Sequence, residues 1–229
     1  MNKNADLKVR AAVHAAQLPW QASPLPGVER RILDRIGGEV ARATSIVRYE
    51  AGSSFAPHVH TGGEEFFVLE GTFQDEHGDF PAGSYVRNPP STSHTPRSDA
   101  GCTIFVKLWQ YDMEDRTHVR VDTSKMAFVP DCERKGVEIM PLFNDGREDV
   151  RLETWRPNAK VEFSPVFGAE ILVLEGSFVE QNERFARLSW LRVPPGGTVS
   201  ATAGPRGAKL WVKLDHLHAA VPKEIANAS

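Results

Sequence analysis

Glu65-Phe66-Phe67-Val68-Leu69-Glu70-Gly71-Thr72-Phe73 returns 105 residues later as Glu170-Ile171-Leu172-Val173-Leu174-Glu175-Gly176-Ser177-Phe178. Two further segments keep the register. Ser84-Tyr85-Val86-Arg87-Asn88-Pro89-Pro90 matches Ser189-Trp190-Leu191-Arg192-Val193-Pro194-Pro195 at the same spacing. Ile104-Phe105-Val106-Lys107-Leu108 matches Leu210-Trp211-Val212-Lys213-Leu214 one residue further on. Chance similarity does not hold its register across three separated segments, so the chain is two copies of one unit. The matching runs are short, apolar and rich in β-branched or aromatic residues, with Gly and Pro between them, which is strand-and-turn punctuation. The fold class is therefore all-β. Each copy, about 100 residues, suffices for a β-sandwich or barrel with its own core. The polar stretch Asp112 to Gly136 has no counterpart in the repeat and reads as the linker. Helical periodicity is weak throughout, and Lys8 to Leu18 is the one short helix expected, before Pro19.

Composition narrows the function classes. The 229 residues hold 27 Lys+Arg against 30 Asp+Glu, a net charge of −3, which lacks the basic excess of an electrostatic nucleic-acid binder. The longest aliphatic run, Ile171-Leu172-Val173-Leu174, is far short of the ~20 apolar residues of a spanning helix, so no membrane association is expected. Met1 to Arg10 carries Lys3, Asp6, Lys8 and Arg10 with no apolar core, so no signal peptide is expected. Cys102 and Cys132 form neither a CxxC nor a disulfide framework, and a reducing cytoplasmic setting is the expectation. There is no GxSxG, P-loop or GxGxxG. Glu64 and Glu65 are adjacent on a strand and face opposite ways, which does not make a glycosidase pair.

The chemistry sits in the first copy, in His58-Val59-His60-Thr61-Gly62-Gly63-Glu64-Glu65. Residues two apart on a strand share a face, so His58 and His60 point the same way. Gly62-Gly63 can turn the chain back and bring Glu64 to them. His94, after the Pro89-Pro90 turn, is a candidate fourth ligand. Two or three imidazoles with one carboxylate suit a first-row divalent metal.

The run His58-x-His60-x3-Glu64-x6-Gly71 resembles the first signature of the cupin superfamily, and Pro81-x-Gly83 followed by His94 resembles the second. The usual pattern places its histidine three residues after the glycine; here eleven positions separate Gly83 from His94. That spacing, with Arg87-Asn88-Pro89-Pro90-Ser91-Thr92-Ser93-His94-Thr95-Pro96 and the run from Glu64 to Gly83, resembles the cupin region of ChrR-type anti-sigma factors. The resemblance implies two tandem double-stranded β-helix (jelly-roll) barrels, over 1–115 with the metal site, and over 137–229 as a degenerate copy, joined by 116–136. It implies one divalent metal per chain, zinc, iron, manganese or nickel, held by His58, His60, Glu64 and His94, and no organic cofactor.

The second copy separates scaffold from site. At the repeat spacing His58 falls on Phe163, His60 on Pro165, Glu64 on Ala169 and His94 on Val199. All four candidates are lost together while Glu70-Gly71 and Pro89-Pro90 persist. The second copy is expected to hold no metal and to fill its interior with apolar side chains. Glu65 persists as Glu170, which reads as a scaffold or outward-facing role, and Arg87 persists as Arg192, which reads as a fold or subunit contact. His77 lies in a turn, Asp75-Glu76-His77-Gly78-Asp79, and reads as solvated. His14, His118, His216 and His218 lack a partner pattern. Cys102 reads as a small core residue and Cys132 as exposed. Phe66, Val68, Tyr85 and Phe105 are core by default or line the cup.

Three functions fit. The resemblance implies a small-ligand or stress-sensing regulatory module, because the ChrR-type cupin region serves the response to singlet oxygen. Sigma-factor inhibition belongs to a separate helical zinc domain, and no Cys precedes Cys102, so direct sigma-factor binding is not expected. The alternative is an Fe(II)-dependent cupin dioxygenase acting on a small diketone or aromatic ketone, with open coordination positions for substrate. The third is a metal-stabilised scaffold. A homodimer is the expected assembly.

Overall fold

The computed structural model describes residues 2–38, 40–217 and 225. Strands dominate, with two short 3-10 turns at Ala15–Gln17 and Thr123–Lys125. The described chain divides into two compact units, residues 2–5 and 19–125 with Ile225, and residues 6–18 with 126–217. No described helix is long and apolar enough to cross a membrane.

In the first unit the main sheet runs in the order Val119–Asp122, Ser84–Asn88, Glu64–Asp75, Cys102–Leu108, Ala41–Tyr49, Val28–Gly37, Gln21–Ala22, all antiparallel. A separate two-stranded sheet pairs His58–His60 with Thr92–His94. Residues 64 to 68, which read as an unbroken run rather than an alternating one, are buried on both faces. Phe66 and Val68 join Phe73, Phe80, Val86 and Ile104 in one apolar cluster. Tyr85 and Phe105 are equally buried but lie outside that cluster.

The second unit repeats the order with Ala11–His14, Ser189–Val193, Ala169–Glu180, Val199–Leu214, Asp149–Trp155, Val137–Asn144, Val129–Pro130. Its core gathers Trp155, Ile171, Val173, Phe178, Phe185, Leu191, Val199 and Val212, with Phe163 packed against it. Phe163 pairs with Val199, as His58 pairs with His94 in the first unit. Ala169 is fully buried. Apolar side chains thus occupy three of the four positions that carry candidate ligands in the first copy.

Two expectations are corrected. Lys8 to Leu18 is not a helix. Ala11–His14 is a strand paired with Ser189–Val193, with Ala11 and Val13 buried and Ala12 and His14 less so. The stretch from Asp112 to Gly136 is not a bare linker. It carries Val119–Asp122, paired with Ser84–Asn88, and Val129–Pro130, paired with Val137–Asn144. Ala11–His14 and Val119–Asp122 hold equivalent edge positions, each followed by a 3-10 turn, so the repeat begins earlier than its conserved motifs. Their dissimilar sequences, AAVH and VRVD, hide the match.

The glycine that persists in both copies has a steric reason. Gly71 and Gly176 both take φ +71°, and a Cβ at either would stand 2.1 Å from the carbonyl oxygen of Gly101 or Gly207. No other residue suits a left-handed conformation in such close contact.

Candidate metal centre

The register places the three histidines together. Thr92↔His60 and His94↔His58 are opposed pairs, so His58, His60 and His94 all point to one face, while Val59 between them is 60% exposed. One nitrogen from each ring lies within 4.8 Å of the others. His60 Nε2 and His94 Nε2 are 2.8 Å apart. Exposure grades across the set, with His58 exposed, His60 half-buried and His94 buried.

Glu64 enters from the neighbouring strand. Gly62 and Gly63 make the turn that delivers it, and their missing side chains are required. A Cβ on Gly62 would lie 2.0 Å from the Trp109 ring, and one on Gly63, at φ +77°, 2.5 Å from the Tyr111 ring. Tyr111 OH donates to the Glu64 carbonyl oxygen at 2.9 Å and fixes the strand end. The buried Glu64 carboxylate stands with Oε2 at 3.5 Å from both His60 Nε2 and His94 Nε2. Asn88 Nδ2 donates to the same oxygen at 3.4 Å.

Two of the histidines have a partner on the far side of the ring. His94 Nδ1 is 3.1 Å from Asp75 Oδ2, and His58 Nδ1 is 3.1 Å from the Ala56 carbonyl. A carbonyl or carboxylate accepts from Nδ1–H, which leaves Nε2 with its lone pair facing the cluster. Burial opposes the His94 imidazolium, but the bond to Asp75 and the charges of Glu64 and Asp75 outweigh it and raise the pKa above 6.5. For His60, burial outweighs Glu64 and is reinforced by His94 and His58, so its pKa falls below 6.5.

The donor set fits a first-row divalent cation. Metal–imidazole bonds of about 2.0–2.1 Å put two nitrogens at right angles about 3 Å apart, close to the His60–His94 separation. Without a cation, two neutral imidazole nitrogens at that distance need one N–H shared between them. Beside the cluster lies a cavity of about 250 Å³ bordered by His60, Gly63, Val59, Leu108, Trp109 and Arg35.

His58, His60, Glu64 and His94 converge. Glu65 is not outward-facing but buried, accepting from Tyr85 OH at 2.6 Å with Arg87 at 3.8 Å. Its counterpart Glu170 accepts from Trp190 Nε1 at 3.1 Å and bonds His216 at 3.0 Å. This is the scaffold role its persistence implies. His77 and His118 are exposed, and His14 bonds Ser189 and Glu183. His218 lies outside the described residues. Cys102 is buried and Cys132 exposed, both as free thiols. Asp75 and Asn88 escape a sequence reading. Asp75 is masked by the turn signal it also serves, its Oδ1 accepting the His77 backbone N–H at 2.7 Å.

No curated protein matches the sequence. Among solved structures, a proposed dioxygenase from Nostoc punctiforme superposes with TM-score 0.74 at 15% identity, covering 93% of this chain and 86% of that one. A bacterial pirin from Escherichia coli, solved with nickel(II), gives 0.63 at 15% identity over 90% and 98%. Bacillus subtilis oxalate decarboxylase, a protein with Mn(II) centres, gives 0.62 at 12% identity over 92% and 78%. At these identities the likeness is one of fold. The sequence pattern of the ChrR cupin-like domain matches residues 8–112. Residues 8–112, which hold the clustered histidines, therefore carry a ChrR cupin-like domain, a cupin.

Proposed function

We propose that this chain is a metal-binding bicupin with a small-ligand-sensing or stress-sensing regulatory role. Each unit is read as one double-stranded β-helix barrel, the two in tandem. His58, His60, Glu64 and His94 would hold one zinc, iron, manganese or nickel ion in the first, and the second serves as scaffold. The observation that carries this reading is the convergence of three imidazole nitrogens with the Glu64 carboxylate 3.5 Å from two of them. Four protein ligands leave few coordination positions free, which suits retention and sensing better than turnover. Bound there, a divalent cation supplies Lewis acidity to any small molecule that reaches it.

The chain's own residues would do the rest. Asp75 fixes the tautomer of His94, and Asn88 holds the Glu64 oxygen in place. Phe73, with its ring centroid 5.8 Å from that of His94, keeps water from the inner side. The exposed edge of His58 and the cavity beside His60 favour a second reading, an Fe(II)-dependent dioxygenase taking a small diketone or aromatic ketone. Val59, Leu108 and Trp109 would give such a substrate an apolar wall.

Metal content after chelator-free purification, paired with oxygen uptake by iron-reconstituted protein on diketones and aromatic ketones, separates the two. About one zinc per chain and no uptake supports sensing. About one iron with substrate-dependent uptake replaces it with the dioxygenase. Absence of any metal from wild type, or unchanged occupancy in Glu64→Ala, removes the ligand set. A cytoplasmic homodimer is part of the proposal. Light scattering at twice the 25.4 kDa chain mass is expected, and a clean monomer would remove the dimer.

A further inference from the structure

We propose that the second unit, apart from any metal chemistry, binds a small multivalent oxyanion in a basic groove. Its ligand class is a phosphorylated or polycarboxylate small molecule. The groove is a cavity of about 700 Å³ at the irregular stretch where Ala169–Glu180 and Val199–Leu214 shift register, between Val173 and Glu175 and again between Gly176 and Phe178. The small residues Gly176, Ala186, Gly207 and Ala208 are among those that line it. Its walls carry Arg184, Arg187, Arg206 and Lys209, with Glu175 the one carboxylate among the lining residues. Lys209 Nζ lies 3.6 Å from Glu175 Oε1. Beside that pair, Arg184, Arg187 and Arg206 line the same concavity in a chain whose net charge is −3.

Scattered surface arginines would be unremarked on a convex face. Two features set these apart. First, they line one hollow, where low-dielectric walls concentrate their field. Second, the first unit supplies an internal control. Lys209 pairs with Glu175 as Thr103 pairs with Glu70, and Arg184 pairs with Val179 as Asp79 pairs with Gln74. By that register Arg184, Arg187, Arg206 and Lys209 stand where the first copy has Asp79, Ala82, Ala100 and Thr103. All four cations belong to one copy only, while the scaffold glycines at the same place belong to both. Guanidinium forks match phosphate and carboxylate oxygens two at a time, so three arginines favour a ligand with at least two anionic groups over a halide.

Isothermal titration of the full chain tests this with fructose 1,6-bisphosphate, citrate and inorganic phosphate, at ionic strength held constant with sodium chloride. Saturable one-to-one binding is expected for the bisphosphate, for citrate, or for both. The stronger of the two identifies phosphate esters or carboxylates as the source. Arg187→Ala combined with Arg206→Ala, both exposed positions, should weaken it at least about tenfold. Glu175→Gln, which removes the competing carboxylate, should tighten it. His94→Ala should bind the bisphosphate as wild type does, which separates this groove from the first-unit cluster. Heats that do not saturate, affinity unchanged by both groove variants, or loss of bisphosphate binding in His94→Ala would each overturn the proposal.

Discussion

His94 and Asp75 form a buried pair whose charge changes with pH. Asp75 is held below the ordinary 3.8 because, although burial raises it, the His94 bond and the His77 backbone N–H outweigh that. It is therefore ionised across the range in which His94 titrates. His94 is raised above 6.5, so the folded chain holds that proton more tightly than the unfolded chain does. The resulting stability is fully present below pH 6.5 and is lost as pH rises through the raised folded value. Asp75→Asn keeps an acceptor but loses the charge. In metal-free protein it should cost about 1.5–3 kcal/mol near the acid side of that range and less on the basic side. Denaturant titrations on both sides measure the difference, and equal costs would contradict the pairing. The same variant should lower metal affinity about 10–100-fold, because the His94 ring loses the partner that fixes its tautomer. Competition against a chelating dye reads that directly. The clustering of the candidate positions is legible in the sequence because spacing on a strand fixes facing, and because the second copy shows which positions the fold does not need. Asp75 is not legible, since nothing in its local pattern says that an aspartate in a turn reaches a histidine 19 residues away.

Two glycines with the same backbone twist should respond differently to substitution. Gly71 has φ +71° with Gly101 O in the way of a Cβ, and Gly52 has φ +77° with nothing within 4 Å. Gly52→Ala should cost only the left-handed conformation, about 1–2 kcal/mol. Gly71→Ala should add an overpacking cost of about 1–3 kcal/mol, because the obstacle is backbone and cannot rotate aside. Denaturation midpoints of the two variants rank them, and parity would mean that the backbone around Gly71 relaxes freely. The strands around these glycines are legible because both copies print the same apolar runs. The Ala11–His14 strand is not. Four residues give too short an alternation to outweigh the helical preference of its alanines. The strand that decides the matter, Ser189–Val193, lies at the far end of the sequence. Tertiary pairing overrides local propensity there, and the supposed linker fails for the same reason at Val119–Asp122.

Across the whole molecule, one fold appears twice with opposite specialisations. The first unit gathers three imidazoles and a carboxylate in one cluster, graded from exposed His58 to buried His94. The second fills those positions with Phe163, Ala169 and Val199 and gathers its cations in a separate groove. A metal bound only by the folded first unit stabilises it by RT ln(1 + [M]/Kd), about 2.7 kcal/mol at one hundred times Kd. That increment should act where the ligands are. Hydrogen exchange of the metal-free chain, repeated with saturating zinc, should slow by up to about a hundredfold in the strands His58–His60, Glu64–Asp75 and Thr92–His94. The equivalent strands Lys160–Phe163, Ala169–Glu180 and Val199–Leu214 should exchange at unchanged rates. The second unit is then a control of matching topology within the same molecule, free of differences in preparation or buffer. His94→Ala should abolish the first effect and leave the second unit as it was. Equal slowing in both units would place the cation's stabilisation outside the histidine cluster and remove the division of labour between the copies.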